Sequence, residues 1–130
     1  MADTTEVQTI SDVSGVKHVS KMVSKSDGTG ESLVTKVDAS ATNFMTEDSN
    51  RVFARIWYSV NTSNNNGAVE LLWDGATDTT MCFLSGQGKW DLRTFGDGIS
   101  NNSVTPTGDV KLSTHNFTSG DNYTIIAEFR

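Results

Sequence analysis

The stretch of sequence that decides the fold is Tyr123-Thr124-Ile125-Ile126-Ala127-Glu128-Phe129-Arg130. Apolar and polar side chains alternate along most of it, which is typical of a β-strand with one buried face. Residues 108–114 alternate in the same way, and a cluster of turn residues at 118–122 lies between the two segments. The pattern predicts a β-hairpin whose second strand runs to Arg130.

The same succession of strand and polar turn recurs along most of the chain. No segment of helical length shows clear helical periodicity, and about eight strands follow one another at short spacing. The sequence therefore predicts an all-β fold, an antiparallel β-sandwich for which a jelly roll is one arrangement. We expect one sandwich domain over residues 7–130 and a flexible N-terminal arm over residues 1–6, which is the better candidate for an arm that reaches a neighbour.

The charge of the chain argues against several classes of protein. Its net charge of −6 is unlike that of nucleic-acid-binding proteins, whose affinity comes mainly from basic residues that neutralise phosphates. It is also unlike that of a basic domain that binds membrane surfaces. No apolar run approaches the roughly 20 residues of a membrane span, and the polar, acidic start does not resemble a signal peptide. We expect synthesis in a cytosol, with neither nucleic acid nor membrane as a partner.

Few residues could carry chemistry. His18 and His115 are the only histidines, and neither stands in a sequence pattern that supplies a nucleophile and a carboxylate. Cys82 is the only cysteine, and its apolar neighbours predict a buried, inert thiol that cannot complete a zinc tetrad with two distant histidines. The acidic loop positions Glu47-Asp48 and Asp97-Gly98 favour solvated turns over calcium loops. We therefore expect no catalytic residue, no metal site and no cofactor.

The strongest strand in the middle of the chain covers residues 51–60. Its even positions are expected to face the core: Val52, Ala54, Ile56, Tyr58 and Val60. Its odd positions form a mixed cationic and aromatic stripe that we take as the candidate interface: Arg51, Phe53, Arg55 and Trp57. Trp and Arg are enriched in interface hot spots. We hypothesise that another sheet or another subunit covers this stripe.

The three tryptophans allow a second interpretation. Exposed Trp side chains on small β-sandwiches can stack on sugar rings, so a carbohydrate-binding module is an alternative. Core packing is the simpler role for Trp73 and Trp90, because the chain has only 35% hydrophobic residues. Trp57 is the exception, since it shares a strand face with arginines.

Short turn-rich motifs of the chain also resemble a known group of proteins. The motifs are Lys25-Ser26-Asp27-Gly28-Thr29-Gly30-Glu31-Ser32, Thr35-Lys36-Val37-Asp38, Val69-Glu70-Leu71-Leu72-Trp73-Asp74-Gly75, Leu84-Ser85-Gly86-Gln87-Gly88, Gly108-Asp109-Val110 and Ser119-Gly120-Asp121-Asn122-Tyr123-Thr124-Ile125. With them, residues 25–130 resemble small virion structural proteins of tailed bacteriophages, especially phages of marine cyanobacteria. The motifs are turn signatures and contain no catalytic residue.

The resemblance implies a non-enzymatic structural protein of the virion. A capsid decoration or cement protein that binds and stabilises the head is the first expectation, and a head–tail neck or tail-associated protein is the second. The expected partners are the major capsid protein or other virion proteins, together with further copies of the chain in a homo-oligomer such as a trimer. A carbohydrate-binding module is the main rival, and a small hydrolase is the weakest one.

Overall fold

The computed structural model describes residues 4–13, 16–42, 52–96 and 98–130. These residues form ten β-strands and two short 3₁₀ helices, Ala39–Ala41 and Leu92–Phe95. The strands are β1 (Thr4–Val13), β2 (Lys17–Lys25), β3 (Val34–Val37), β4 (Val52–Asn61), β5 (Ala68–Trp73), β6 (Thr79–Leu84), β7 (Gly86–Asp91), β8 (Ile99–Ser100), β9 (Val110–His115) and β10 (Asn122–Phe129).

The strands form two antiparallel sheets. The larger sheet has the order β1-β2-β10-β4-β7, with the short β8 paired to β4, and the smaller sheet has the order β3-β9-β5-β6. The four strands β2-β10-β4-β7 and the four strands of the smaller sheet follow the strand order of a jelly roll. The prediction of an all-β, antiparallel sandwich is therefore confirmed.

The prediction of a terminal hairpin is wrong, although both of its strands are present. β9 pairs with β3 and β5 in the smaller sheet, whereas β10 pairs with β2 and β4 in the larger one. The turn between them crosses from one sheet to the other. The Asp121 carboxylate secures this crossing by accepting hydrogen bonds from the backbone N–H of Thr118 at 2.8 Å and of Ser63 at 3.0 Å. The apolar faces of the two strands therefore meet across the core instead of pairing edge to edge.

The core lies between the sheets and is centred on β10. Its alternate side chains are almost completely buried: Tyr123, Ile125, Ala127 and Phe129. The ring of Phe129 lies 5.5 Å from that of Phe53 on β4 and 5.7 Å from that of Trp73 on β5, measured between centroids. Aromatic contacts at this spacing join the two sheets, because Trp73 belongs to the smaller one.

A bulge in β4 changes which side chains face the core. Glu128 pairs with Arg55 but Phe129 pairs with Phe53, so Ala54 is an extra residue in β4. An extra residue reverses the alternation of faces beyond it. Phe53 therefore points into the core, where it is 0% exposed, and the expectation that it shares a face with Arg55 is wrong.

β1 begins earlier than the sequence indicated. Thr4, Thr5 and Glu6 pair with Lys25, Ser24 and Val23 of β2, so these three residues belong to the larger sheet and not to an arm. The proposed arm boundary after residue 6 is corrected accordingly. Residues 1–3 lie outside the described part of the chain.

Adjacent isoleucines in β10 test the assignment of its two faces. Ile125 is 0% exposed in the core, whereas Ile126 is half-buried on the opposite face. We expect Ile125→Ala to lower the free energy of unfolding by about 2–5 kcal/mol and Ile126→Ala to lower it by no more than about 1 kcal/mol. Urea denaturation followed by fluorescence measures both changes. Equal losses would contradict this assignment of faces.

Candidate functional site

The candidate site is the face of the larger sheet that points away from the core, which we call the outer sheet face. Directly paired residues of neighbouring strands point to the same side of a sheet. The register pairs Ile126 with Lys21 on one side and with Trp57 on the other, and Trp57 pairs with Lys89. These four side chains therefore form a row across β2, β10, β4 and β7.

A second row is built around a buried carboxylate. Glu128 accepts hydrogen bonds from Arg55 Nε at 3.0 Å and from Arg55 Nη2 at 3.1 Å, and a third from Arg130 Nε at 2.9 Å. Burial alone raises the pKa of the Glu128 carboxyl, but the bonds from Arg55 and Arg130 outweigh it and hold the pKa below its ordinary value. Two cations thus share the buried carboxylate, and Asp91, which pairs with Arg55 on its other side, balances the second positive charge of the row.

Arg55 also fixes the neighbourhood of Trp57. Its guanidinium carbon lies 5.7 Å from the centre of the Trp57 ring, within the range of a cation–π contact. The Trp57 side chain nevertheless stays 39% exposed. A shallow cleft of about 220 Å³ opens beside it, lined by Arg55, Trp57, Lys89, Trp90 and Asp91. The surface therefore offers a partly exposed aromatic ring that is held in place by a charged neighbour.

The outer sheet face is cationic although the chain as a whole is acidic. The register and the alternation of β2, β4, β7 and β10 place more than half of the ten Lys and Arg residues there: Lys17, Lys21, Lys25, Arg55, Lys89 and Arg130. The acidic side chains of the same face are fewer: Glu6, Asp91 and Glu128. Since the net charge of the chain is −6, the excess of acidic residues belongs to the rest of the chain.

The sequence pattern predicted part of the outer sheet face. Arg55 and Trp57 lie on the outer sheet face as the stripe required, whereas Phe53 is in the core and Arg51 lies outside the described residues. The cross-strand neighbours Lys21 and Lys89 were missed. Their membership depends on strand order and register, which no local pattern contains.

The tryptophans have different environments. Trp73 is fully buried, as expected for a core residue. Trp90 was also expected in the core but is 37% exposed, because β7 is an edge strand of the larger sheet. Its ring packs edge-on against Tyr58 at 5.6 Å on the inner side of β4.

The structure also assembles three residues that the sequence did not connect. His18 Nδ1 lies 3.2 Å from Asp12 Oδ1, and His18 Nε2 lies 2.6 Å from Ser20 Oγ. In the neutral ring the carboxylate can only accept, so Nδ1 donates to Asp12 and Nε2 accepts from the Ser20 hydroxyl. These contacts follow the order of a Ser-His-Asp triad. However, His18 and Ser20 are each 1% exposed, so a substrate cannot approach the hydroxyl in this conformation.

The other residues with reactive or metal-binding side chains are less favourably placed for catalysis. Burial raises the pKa of the Cys82 thiol to about 12, in keeping with the inert thiol expected for it. His115 Nε2 lies 2.9 Å from Glu70 Oε1 on the surface. In the described ranges no three potential ligands come together around a metal position. The pair Glu47-Asp48 and residue Asp97 lie outside those ranges.

Comparison with known proteins identifies no relative of this chain. No family model, no curated protein and no solved structure matches the chain. No helix in the described part of the chain is long and apolar enough to cross a membrane.

The shared carboxylate of Glu128 predicts a pH-dependent stability. Its folded-state pKa is lowered, so its ion pairs stabilise the fold fully above the ordinary carboxyl pKa and lose this contribution as the pH falls through the lowered value. We expect Glu128→Gln to cost about 1–3 kcal/mol at neutral pH and the gap to the wild type to narrow on acidification. Urea denaturation at a series of pH values measures this gap. Glu6→Gln controls for loss of an exposed charge from the same sheet, and a gap independent of pH would contradict the proposed role.

Proposed function

We propose that this protein is a non-enzymatic structural protein of a bacteriophage virion, and specifically a capsid decoration protein that binds and stabilises the head. The observation that carries the proposal is the outer sheet face, where Trp57 and Ile126 are surrounded by basic side chains on an otherwise acidic chain. No described strand covers this face. In this proposal it is the surface that contacts the particle.

The arrangement of charges supports a docking role. Trp and Arg are the residues most enriched in binding hot spots, and the Trp57–Arg55 contact holds both side chains in position before a partner arrives. A cationic face on an acidic molecule also orients the approach to an acidic partner and repels the wrong orientation. The partner should therefore present an acidic surface with an apolar patch.

Two further points favour a virion component. Jelly-roll sandwiches are a common architecture of viral capsid and lectin domains, although this is an analogy of fold alone. The resemblance of residues 25–130 to small phage structural proteins points in the same direction. A neck or tail-associated position would use the same surface, and the location of the protein in an electron density map of the particle distinguishes the positions.

Particle-binding measurements test this proposal. Trp57→Ala and Lys89→Glu should each weaken binding to purified virions that lack the protein by about tenfold or more, because each removes a central contact or reverses a charge of the outer sheet face. Phe83→Ala is the matched control, since Phe83 is a large exposed apolar residue on the smaller sheet. Cosedimentation with the particles measures the affinities. Absence of the protein from virions, or equal binding by all variants, would refute the proposal.

A carbohydrate-binding module is the second candidate, and the cleft beside Trp57 favours it. A half-exposed indole flanked by Arg55, Lys89 and Asp91 combines a stacking surface with donors and an acceptor for hydroxyl groups. If this candidate holds, titration with a glycan quenches or shifts the fluorescence of the wild type and leaves that of Trp57→Ala unchanged. A glycan array without signal would eliminate it.

A further inference from the structure

The edge strand β1 has an uncommon combination of length and openness. Among the described residues, β2 is the only strand that pairs with it, so its other edge has no strand opposite. Backbone N–H and C=O groups along such an edge form a template for another strand. Ten residues make β1 as long as any strand of the fold.

Before its bulge at Ile10, β1 has little of the usual protection of an edge strand. Natural sheets guard their edges with charged side chains, especially lysine, with proline, with β-bulges or with very short strands. Two of the other three edges follow this rule, because β7 contains Lys89 and β3 has only four residues. The remaining edge strand, β6, contains no lysine or proline but is shorter than β1, with six residues. β1 contains no lysine, arginine, proline or glycine, and Glu6 is its only charged residue before the bulge at Ile10. Its side chains Val7 and Ile10 remain 41% and 53% exposed.

We propose that β1 pairs antiparallel with β1 of a second copy, around a two-fold axis that lies midway between the two Val7 residues. In such a pair the axis stands perpendicular to the sheet, so the inner side of one copy continues the inner side of the other. Paired residues must then have the same parity, which leaves few registers for the straight part of the strand before the bulge at Ile10.

The side chains select one of these registers. An axis at Glu6 places two carboxylates opposite each other, which destabilises a pair. An axis at Gln8 brings the bulged residue Ile10 opposite Glu6 inside the paired segment, whereas an axis at Val7 brings it opposite Thr4, the first residue of β1. An axis at Val7 places Val7 opposite Val7, Glu6 opposite the amide of Gln8, and Thr5 opposite Thr9, and each of these pairs is favourable.

The second copy is a better occupant than a foreign strand because this register is self-complementary, as a two-fold interface requires. Val7 pairs with the core residue Met22 and therefore lies on the inner side of the sheet, yet it remains 41% exposed. Contact between two Val7 side chains would cover this exposed apolar surface. The proposed pairing does not depend on the virion function, but it would place two outer sheet faces side by side and strengthen binding through valency.

A cysteine at the axis tests the pairing directly. In a Cys82→Ala background, Val7→Cys places two thiols opposite each other at a distance that suits a disulfide, so mild oxidation should yield a covalent dimer. Val13→Cys is the matched control, since Val13 is a similarly exposed valine of the same strand and lies away from the axis. Denaturing electrophoresis without reductant measures the product.

Light scattering on the unmodified chain provides the second measurement. We expect a dimer whose dissociation constant rises by about tenfold or more in Val7→Lys, which brings two ammonium groups together, while circular dichroism shows an unchanged fold. A monomer at all concentrations, a trimer, or equal cross-linking of the two cysteine variants would overturn the proposal. A monomer that nevertheless binds virions would overturn the pairing alone and leave the proposed function standing.

Discussion

The packing of Phe129 between Phe53 and Trp73 is the contact on which the rest of the structure depends. It joins the larger sheet to the smaller one through rings 5.5 and 5.7 Å apart. Phe53 reaches this position only because the bulge at Ala54 reverses the faces of β4. The same reversal keeps an apolar ring off the outer sheet face, so that the exposed aromatic residue of that strand is Trp57, beside Arg55. One extra residue in β4 thus places the Phe53 ring in the core instead of on the outer sheet face.

Central position gives β10 a second role. Its inner side chains fill the core, while Glu128 on its outer side is held by Arg55 and Arg130. A buried carboxylate without these partners would carry a large desolvation cost, whereas two guanidinium groups satisfy it. The lysines that make the outer sheet face cationic lie on the flanking strands β2 and β7.

The sequence predicted the strands and the fold class well, because period-two alternation and turn residues are local signals. The prediction failed where pairing between distant segments of the chain determines the structure. The segments 108–114 and 123–130 look like a hairpin, yet the Asp121 turn sends their strands to different sheets. Asp12 and His18 meet only through the register of β1 and β2. Lys89 joins Trp57 through pairing of strands with β5 and β6 between them in sequence. A bulge has no dependable sequence signature, so Phe53 was assigned to the wrong face.

Cys82 has a consequence for how the motions of this fold can be followed. The chain contains no other thiol, and partial burial on β6, an edge strand of the smaller sheet, raises the pKa of Cys82 to about 12. Thiol reagents react with the thiolate, so the raised pKa disfavours the reactive form of Cys82 in the folded sheet. Separation of β6 from β5 exposes this partly buried thiol fully to water and should therefore speed its labelling. The labelling rate of Cys82 is thus a built-in reporter of local unfolding in the smaller sheet.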